Sequence, residues 1–111
     1  MPNKYNYKIT LLAKQDILSA VEYITEQLSN TKAASDLLSK TEQTIKTICE
    51  FPYSFADCSY FLLSDEHIRH AVIDNYILVY EIVEAIKEIR VLRFRYAKMD
   101  LTKLNLSLIH I

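Results

Sequence analysis

The sequence predicts an α+β domain in the order β-α-α-β-β-β: an N-terminal strand, a helical hairpin, then a three-stranded antiparallel meander. Three observations carry that prediction. The hydrophobic period changes from two to about 3.6 near Lys14 and returns to two near Ile68. Only Ser29-Asn30-Thr31 separates the two helical stretches, and so short a break joins antiparallel neighbours. Asp74-Asn75 divides two β-rich runs by two residues, which is hairpin spacing. Helices with one apolar stripe and strands with one apolar face need each other to exclude water.

The first element is a strand: Tyr5-Asn6-Tyr7-Lys8-Ile9-Thr10-Leu11 alternates and is rich in β-formers. From Lys14, residues Ile17, Val21, Ile24 and Leu28 recur at helical spacing, which predicts a helix over 14–29. Thr31 is placed to cap a second helix over 31–50, whose stripe runs Ala34, Leu37, Leu38, Thr41, Ile45, Ile48. Pro52 ends it, because proline lacks an amide donor and restricts the residue before it. Residues 53–66 read as an irregular aromatic loop with a short strand near Tyr60–Leu63. Ile68–Ile73 and Tyr76–Val83 read as a hairpin. Glu84-Ala85 makes a second tight connection, and Ile86–Tyr96 is the last strand. Val21, Ile24, Leu28, Leu37, Leu38, Ile45 and Ile48 are the expected helical core.

A chain of 111 residues suits a single domain over 1–111, with 104–111 a tail that belongs to no element of the pattern. No apolar run approaches the ~20 residues that span a bilayer, and the N-terminus lacks the apolar stretch of a signal peptide. A cytoplasmic protein is therefore expected, with no membrane partner. The sequence has no glycine. That excludes P-loops and dinucleotide fingerprints, whose backbones approach phosphate through glycine. It also leaves turns of positive φ to Asn or Asp. Net charge is −1 but unevenly placed. Lys87, Arg90, Arg93, Arg95, Lys98 and Lys103 outweigh Glu88 and Asp100 at the C-terminal end, on an otherwise acidic chain. Such a basic end suits either an anionic partner or a solvated strand and tail.

Cys49 and Cys58 are expected to be reduced thiols. Neither their spacing nor that of His67 and His70 matches a zinc site, and no metal or other cofactor is expected. His67 and His70 read as a loop and a strand histidine, and the tyrosines as packing groups.

Several segments together resemble the RelE/ParE superfamily of toxins from type II toxin–antitoxin systems. Lys14-Gln15-Asp16-Ile17 followed by Glu22-Tyr23-Ile24 resembles the first helix of that family. Phe51-Pro52-Tyr53 resembles the proline that closes its second helix. Ile68-Arg69-His70 with Asp74-Asn75-Tyr76-Ile77-Leu78-Val79-Tyr80 resembles its arginine strand, tight turn and tyrosine-rich strand. Val91-Leu92-Arg93-Phe94-Arg95-Tyr96-Ala97-Lys98-Met99-Asp100 resembles its last strand and basic segment, although Lys98 stands where Arg is usual and Ala97 where Gly is common. The likeness spans about residues 5–101. It implies a toxin held by a small antitoxin, with one of two actions. A RelE-type member is an endoribonuclease that cuts messenger RNA, free or on the ribosome. A ParE-type member inhibits DNA gyrase by contact, and a decayed member keeps only antitoxin binding.

RNA cleavage by its own 2′-hydroxyl needs a base, cations for the charged phosphorane and an acid for the leaving oxygen. Endoribonuclease action is the leading expectation, with Arg69, Arg93 and Tyr96 as the catalytic candidates and Lys98, Arg95 and Arg90 as the RNA- or target-binding ones. The hairpin and the short Glu84-Ala85 connection are expected to bring Arg69 and Arg93 near one phosphate, two strand spacings apart. The competing reading pairs those arginines with Glu81, Glu88 or Asp100 across strands. The basic end predicts a small acidic antitoxin that fills an apolar groove or adds a strand to an open edge.

Overall fold

The computed structural model describes residues 5–57 and 67–97. A five-stranded sheet of order β1-β5-β4-β3-β2 carries two helices on one face. In sequence these are β1 (Asn6–Ile9), α1 (Leu11–Glu22), α2 (Thr31–Glu50), β2 (Ala56–Asp57), β3 (Ile68–Ile73), β4 (Tyr76–Val83) and β5 (Glu88–Tyr96). The expected β-α-α-β-β-β order holds, with the two-residue β2 as an addition on the β3 edge. The short strand expected near Tyr60–Leu63 lies outside the described residues, as does the 104–111 tail.

The meander β3-β4-β5 is antiparallel, and β1 joins its far edge parallel to β5, from Asn6 beside Glu88 to Ile9 beside Val91. β1 then stops, because Thr10 turns the chain into α1. The Thr10 hydroxyl accepts from the Ala13 amide at 3.2 Å and so caps the helix. Helix 1 therefore starts at Leu11, earlier than the hydrophobic period alone indicated, and Leu11 belongs to it rather than to the strand.

After Glu22 the helix widens into a π-helical segment, Tyr23–Gln27, with the Leu28 amide donating to the Tyr23 carbonyl. The extra residue in that turn rotates the end of the helix away from the core. Leu28, expected inside, is 56% exposed, and Val21 and Ile24 are only half-buried. Asn30, not Thr31, caps α2, its side-chain oxygen accepting from the Ala33 amide at 3.0 Å. On α2, Leu37, Ile45 and Ile48 are buried as expected, while Leu38 sits one position off the stripe and is exposed.

The core lies between that stripe and the inner sheet face, where Leu78, Tyr80, Ile82, Ile89, Val91 and Phe94 are buried. The Tyr80 hydroxyl donates to the Pro52 carbonyl at 2.6 Å, so a buried ring ties the end of α2 to the sheet centre. Positive φ is met by Asp74 in the hairpin turn, and also by Ser29 and Lys87. Lys87 follows a 3-10 turn, Glu84–Ile86, which moves the start of the last strand to Glu88. No helix among the described residues is long and apolar enough to cross a membrane.

Candidate functional site

β5 carries an irregularity that decides the fate of its arginines. Opposite β4, Val79 pairs with Arg93 but Tyr80 pairs with Val91, so Leu92 is an extra residue in the ladder. Strict alternation from Ile89 and Val91 would send Arg93 into the core and Phe94 out. The bulge reverses that phase, so Phe94 takes the place in the apolar core and Arg93 is buried against Asp16. It also turns the Phe94 amide toward the edge that β1 has vacated. There Asp16 of α1 accepts from the Phe94 amide at 3.0 Å, from Arg93 Nε at 2.8 Å and from Arg93 Nη2 at 3.1 Å. One carboxylate thus replaces a missing strand partner and neutralises a guanidinium that is itself only 7% exposed. Arg95 approaches the same carboxylate at 3.7 Å.

Arg69 takes a different set of partners. Its guanidinium donates to the Tyr53 carbonyl at 3.2 Å and the Phe55 carbonyl at 2.6 Å, and it lies 5.1 Å from the centre of the Tyr53 ring. It pins the segment after α2 against β3. Arg69 and Arg93 sit on β3 and β5 with β4 between them, Arg69 bonded to carbonyls of the segment after α2 and Arg93 to Asp16 of α1. Arg90 bonds Glu88 of its own strand at 3.0 Å and approaches Glu81 on β4 at 3.9 Å, two of the acids weighed as partners for Arg69 and Arg93. Lys98 lies outside the described residues.

Arg95 and Tyr96 are the two candidates brought together. They line a cleft of about 560 Å³ with Asp16, Tyr23, Ile24 and Leu28 from the helix side and Asn75, Tyr76 and Phe94 from the sheet side. The Tyr76 and Phe94 rings stack at 5.0 Å, and Tyr96 meets Tyr76 edge-on at 5.5 Å. Burial, and then the nearby Tyr96 and Tyr23, push the Tyr76 phenol above its ordinary pKa, so it remains a neutral hydroxyl. The cleft has largely apolar walls with one carboxylate, Asp16, and one guanidinium, Arg95.

Sequence reasoning did not place Asp16 or Leu28 at a site. A signal for Asp16 was present: it falls on the helical stripe shared by Ala13 and Ala20, both buried. An acid on an apolar stripe asks for a buried cation. Among the described residues no cluster of His, Cys, Asp and Glu is suited to a metal. Cys49 is a buried free thiol, Cys58 lies outside the described residues, and the His67 ring packs edge-on against Tyr53 at 6.2 Å.

The fold and cleft define a small α+β domain whose strand arginines Arg69, Arg90 and Arg93 are bonded within its own architecture. The family model for the ParE toxin of the type II toxin–antitoxin system parDE matches residues 7–101. The chain belongs to that toxin family, within the RelE/ParE superfamily. A solved structure of the chromosomal ParDE toxin–antitoxin system from P. aeruginosa superposes with a TM-score of 0.67 at 14% identity, covering 86% of this chain and 99% of that one. The RelBE2 toxin–antitoxin complex from Mycobacterium tuberculosis is more distant, with a TM-score of 0.41 at 16% identity over 84% of this chain and 98% of that one. No curated protein sequence matches the chain.

Proposed function

We propose that this toxin acts by contact on DNA gyrase, as the ParE branch of the superfamily implies, and that a small antitoxin neutralises it. The observation that carries this reading is the use of the arginines expected to serve phosphoryl chemistry. Arg93 is buried on Asp16, Arg69 is bonded to backbone carbonyls, and Arg90 stands between two glutamates. A cation that stabilises a phosphorane must reach it, and a guanidinium whose donors are already engaged must first give up those bonds. The match to the ParE model rests on sequence over most of the chain and supports the same side. The match to the ParE family and the solved ParDE assembly support the antitoxin as a partner.

Messenger-RNA cleavage, the leading expectation from sequence, is favoured by one arrangement. Arg95 and Tyr96 stand side by side at the cleft, a cation next to a ring that can stack on a base. Inducible expression in bacteria separates the two. Growth should stop with a DNA-damage response, and the 5′ ends of messenger RNA should stay unchanged. New 5′ ends within minutes, lost in Arg95→Ala and Tyr96→Ala, would replace gyrase contact with RNA cleavage.

A further inference from the structure

We propose that two copies of this chain associate face to face through the groove between α1 and α2, about a two-fold axis that runs along the groove. This goes beyond the gyrase reading and does not rest on it, since it concerns what covers the helical face and not what the chain inhibits.

The groove holds about 530 Å³ and shares no residue with the cleft around Tyr76. Thr41 and Ile45 in it are buried, and Ile17 is half-buried. Its rim is apolar and exposed at Leu18 (59%) and Leu38 (45%), with Tyr7 of β1 at one end. Water contact with leucine on both sides of a groove is what association removes. The rim also carries one charge on each helix, Lys14 on α1 and Glu42 on α2. Among the described residues Lys14 has no acidic partner in its own chain. Glu42 makes only an exposed pair with Lys46 at 3.4 Å, one turn along the same helix, and such pairs hold a side chain weakly.

The order of these four residues selects the occupant. Lys14 and Leu18 are four apart on α1, and Leu38 and Glu42 are four apart on α2, so each pair lies along one helix face. The short interhelical turn returns α2 antiparallel to α1. Leu18 and Leu38 are therefore nearer that turn, and Lys14 and Glu42 one helical turn further from it. A leucine faces a leucine across the groove, and a lysine faces a glutamate. A two-fold axis along the groove lays α1 of one copy on α2 of the other at the same height. Leu18 then meets Leu38 and Lys14 meets Glu42, each contact made twice, in a four-helix packing. A two-fold axis across the groove would instead press Lys14 on Leu18 and Glu42 on Leu38, covering charges with leucine. Only the first arrangement pairs every charge on the rim. An acidic segment from another protein would gain at Lys14 and lose at Glu42, whereas a second copy brings the complement of both.

The test is sedimentation equilibrium of the purified full-length chain over about 1 to 100 μM, where mass action shows a reversible dimer. The chain is expected to pass from monomer to dimer across that range. Lys14→Glu and Glu42→Lys should each raise the dissociation constant tenfold or more, because each sets like charges in both reciprocal contacts. An equimolar mixture of the two variants should associate within threefold of the native chain, since the mixed pair has opposite charges at both contacts. Leu18→Asn, at a position exposed in the single chain, should weaken association tenfold as well. Val72→Asp, an exposed position on β3 outside the groove, should leave it unchanged. A chain monomeric throughout, a dimer indifferent to both charge substitutions and to Leu18→Asn, or two folded variants that stay apart when mixed would each overturn the proposal. So would a native chain that covers this groove only with a different polypeptide.

Discussion

Asp16 links α1 to β5 across 77 residues of sequence and serves backbone and side chain together. Its side chain is 9% exposed, so replacing it strands a buried guanidinium and an edge amide with nothing to accept from them. Asp16→Ala is expected to cost about 3–5 kcal/mol in urea unfolding. An effect below about 1 kcal/mol would show that Arg93 finds another partner. Glu84 is a second focus. It accepts from Lys87 at 2.8 Å, from Tyr5 at 2.8 Å and from Tyr53 at 2.5 Å, tying the β4–β5 turn to the first strand and the segment after α2. Those hydrogen bonds, the one from Lys87 foremost, lower its pKa from 4.5 to about 2. The folded value lies below the unfolded one, so its stabilisation is present above about pH 4.5 and is lost as pH falls toward 2. The difference in melting temperature between the native chain and Glu84→Gln should therefore shrink across that window. A difference constant with pH would mean the carboxylate charge plays no part. At this scale the basic residues of β5 were legible in the sequence and their partners were not. A pair separated by most of the chain leaves no local period, and only the misfit of an acid on an apolar stripe points to it.

Between residue and molecule, three local devices depart from the ideal elements that pattern reasoning assumes. The Thr10 cap starts α1 early, the π-helical turn exposes Leu28, and the Leu92 bulge exchanges the places of Arg93 and Phe94. Each changes phase without changing composition, so the sequence showed that the elements exist and missed which side chains they bury. The absence of glycine was the better guide to turns. It correctly sent positive φ to Asp74, though Ser29 and Lys87 adopt it too, at φ 49 and 51. Ser29 follows α1 and its π-helical end, in the left-handed conformation where a Cβ crowds the following carbonyl. Ser29→Gly is expected to stabilise the chain by about 0.5–1 kcal/mol, since relief of that crowding exceeds the added freedom of the unfolded state. Destabilisation in urea unfolding would mean that the Ser29 side chain holds the interhelical turn.

Across the whole molecule, the order β3-β4-β5 follows from the two tight connections and was legible in the sequence. The parallel docking of β1 on β5 was not, because an edge strand four residues long has no turn to fix its partner. That docking shapes the function proposed. β1 is short, so β5 outruns it, and the vacated edge becomes the place where α1 supplies Asp16 and where the cleft opens. The same carboxylate that completes the sheet occupies Arg93. A ParE-family toxin so built is proposed to work by contact with gyrase and not by cutting RNA. The most direct measurement is supercoiling of relaxed plasmid by purified DNA gyrase with increasing amounts of the purified chain, with messenger RNA included in the same reactions. Supercoiling is expected to fall with dose while the RNA stays full length. Undiminished supercoiling beside fragmented RNA would contradict contact inhibition.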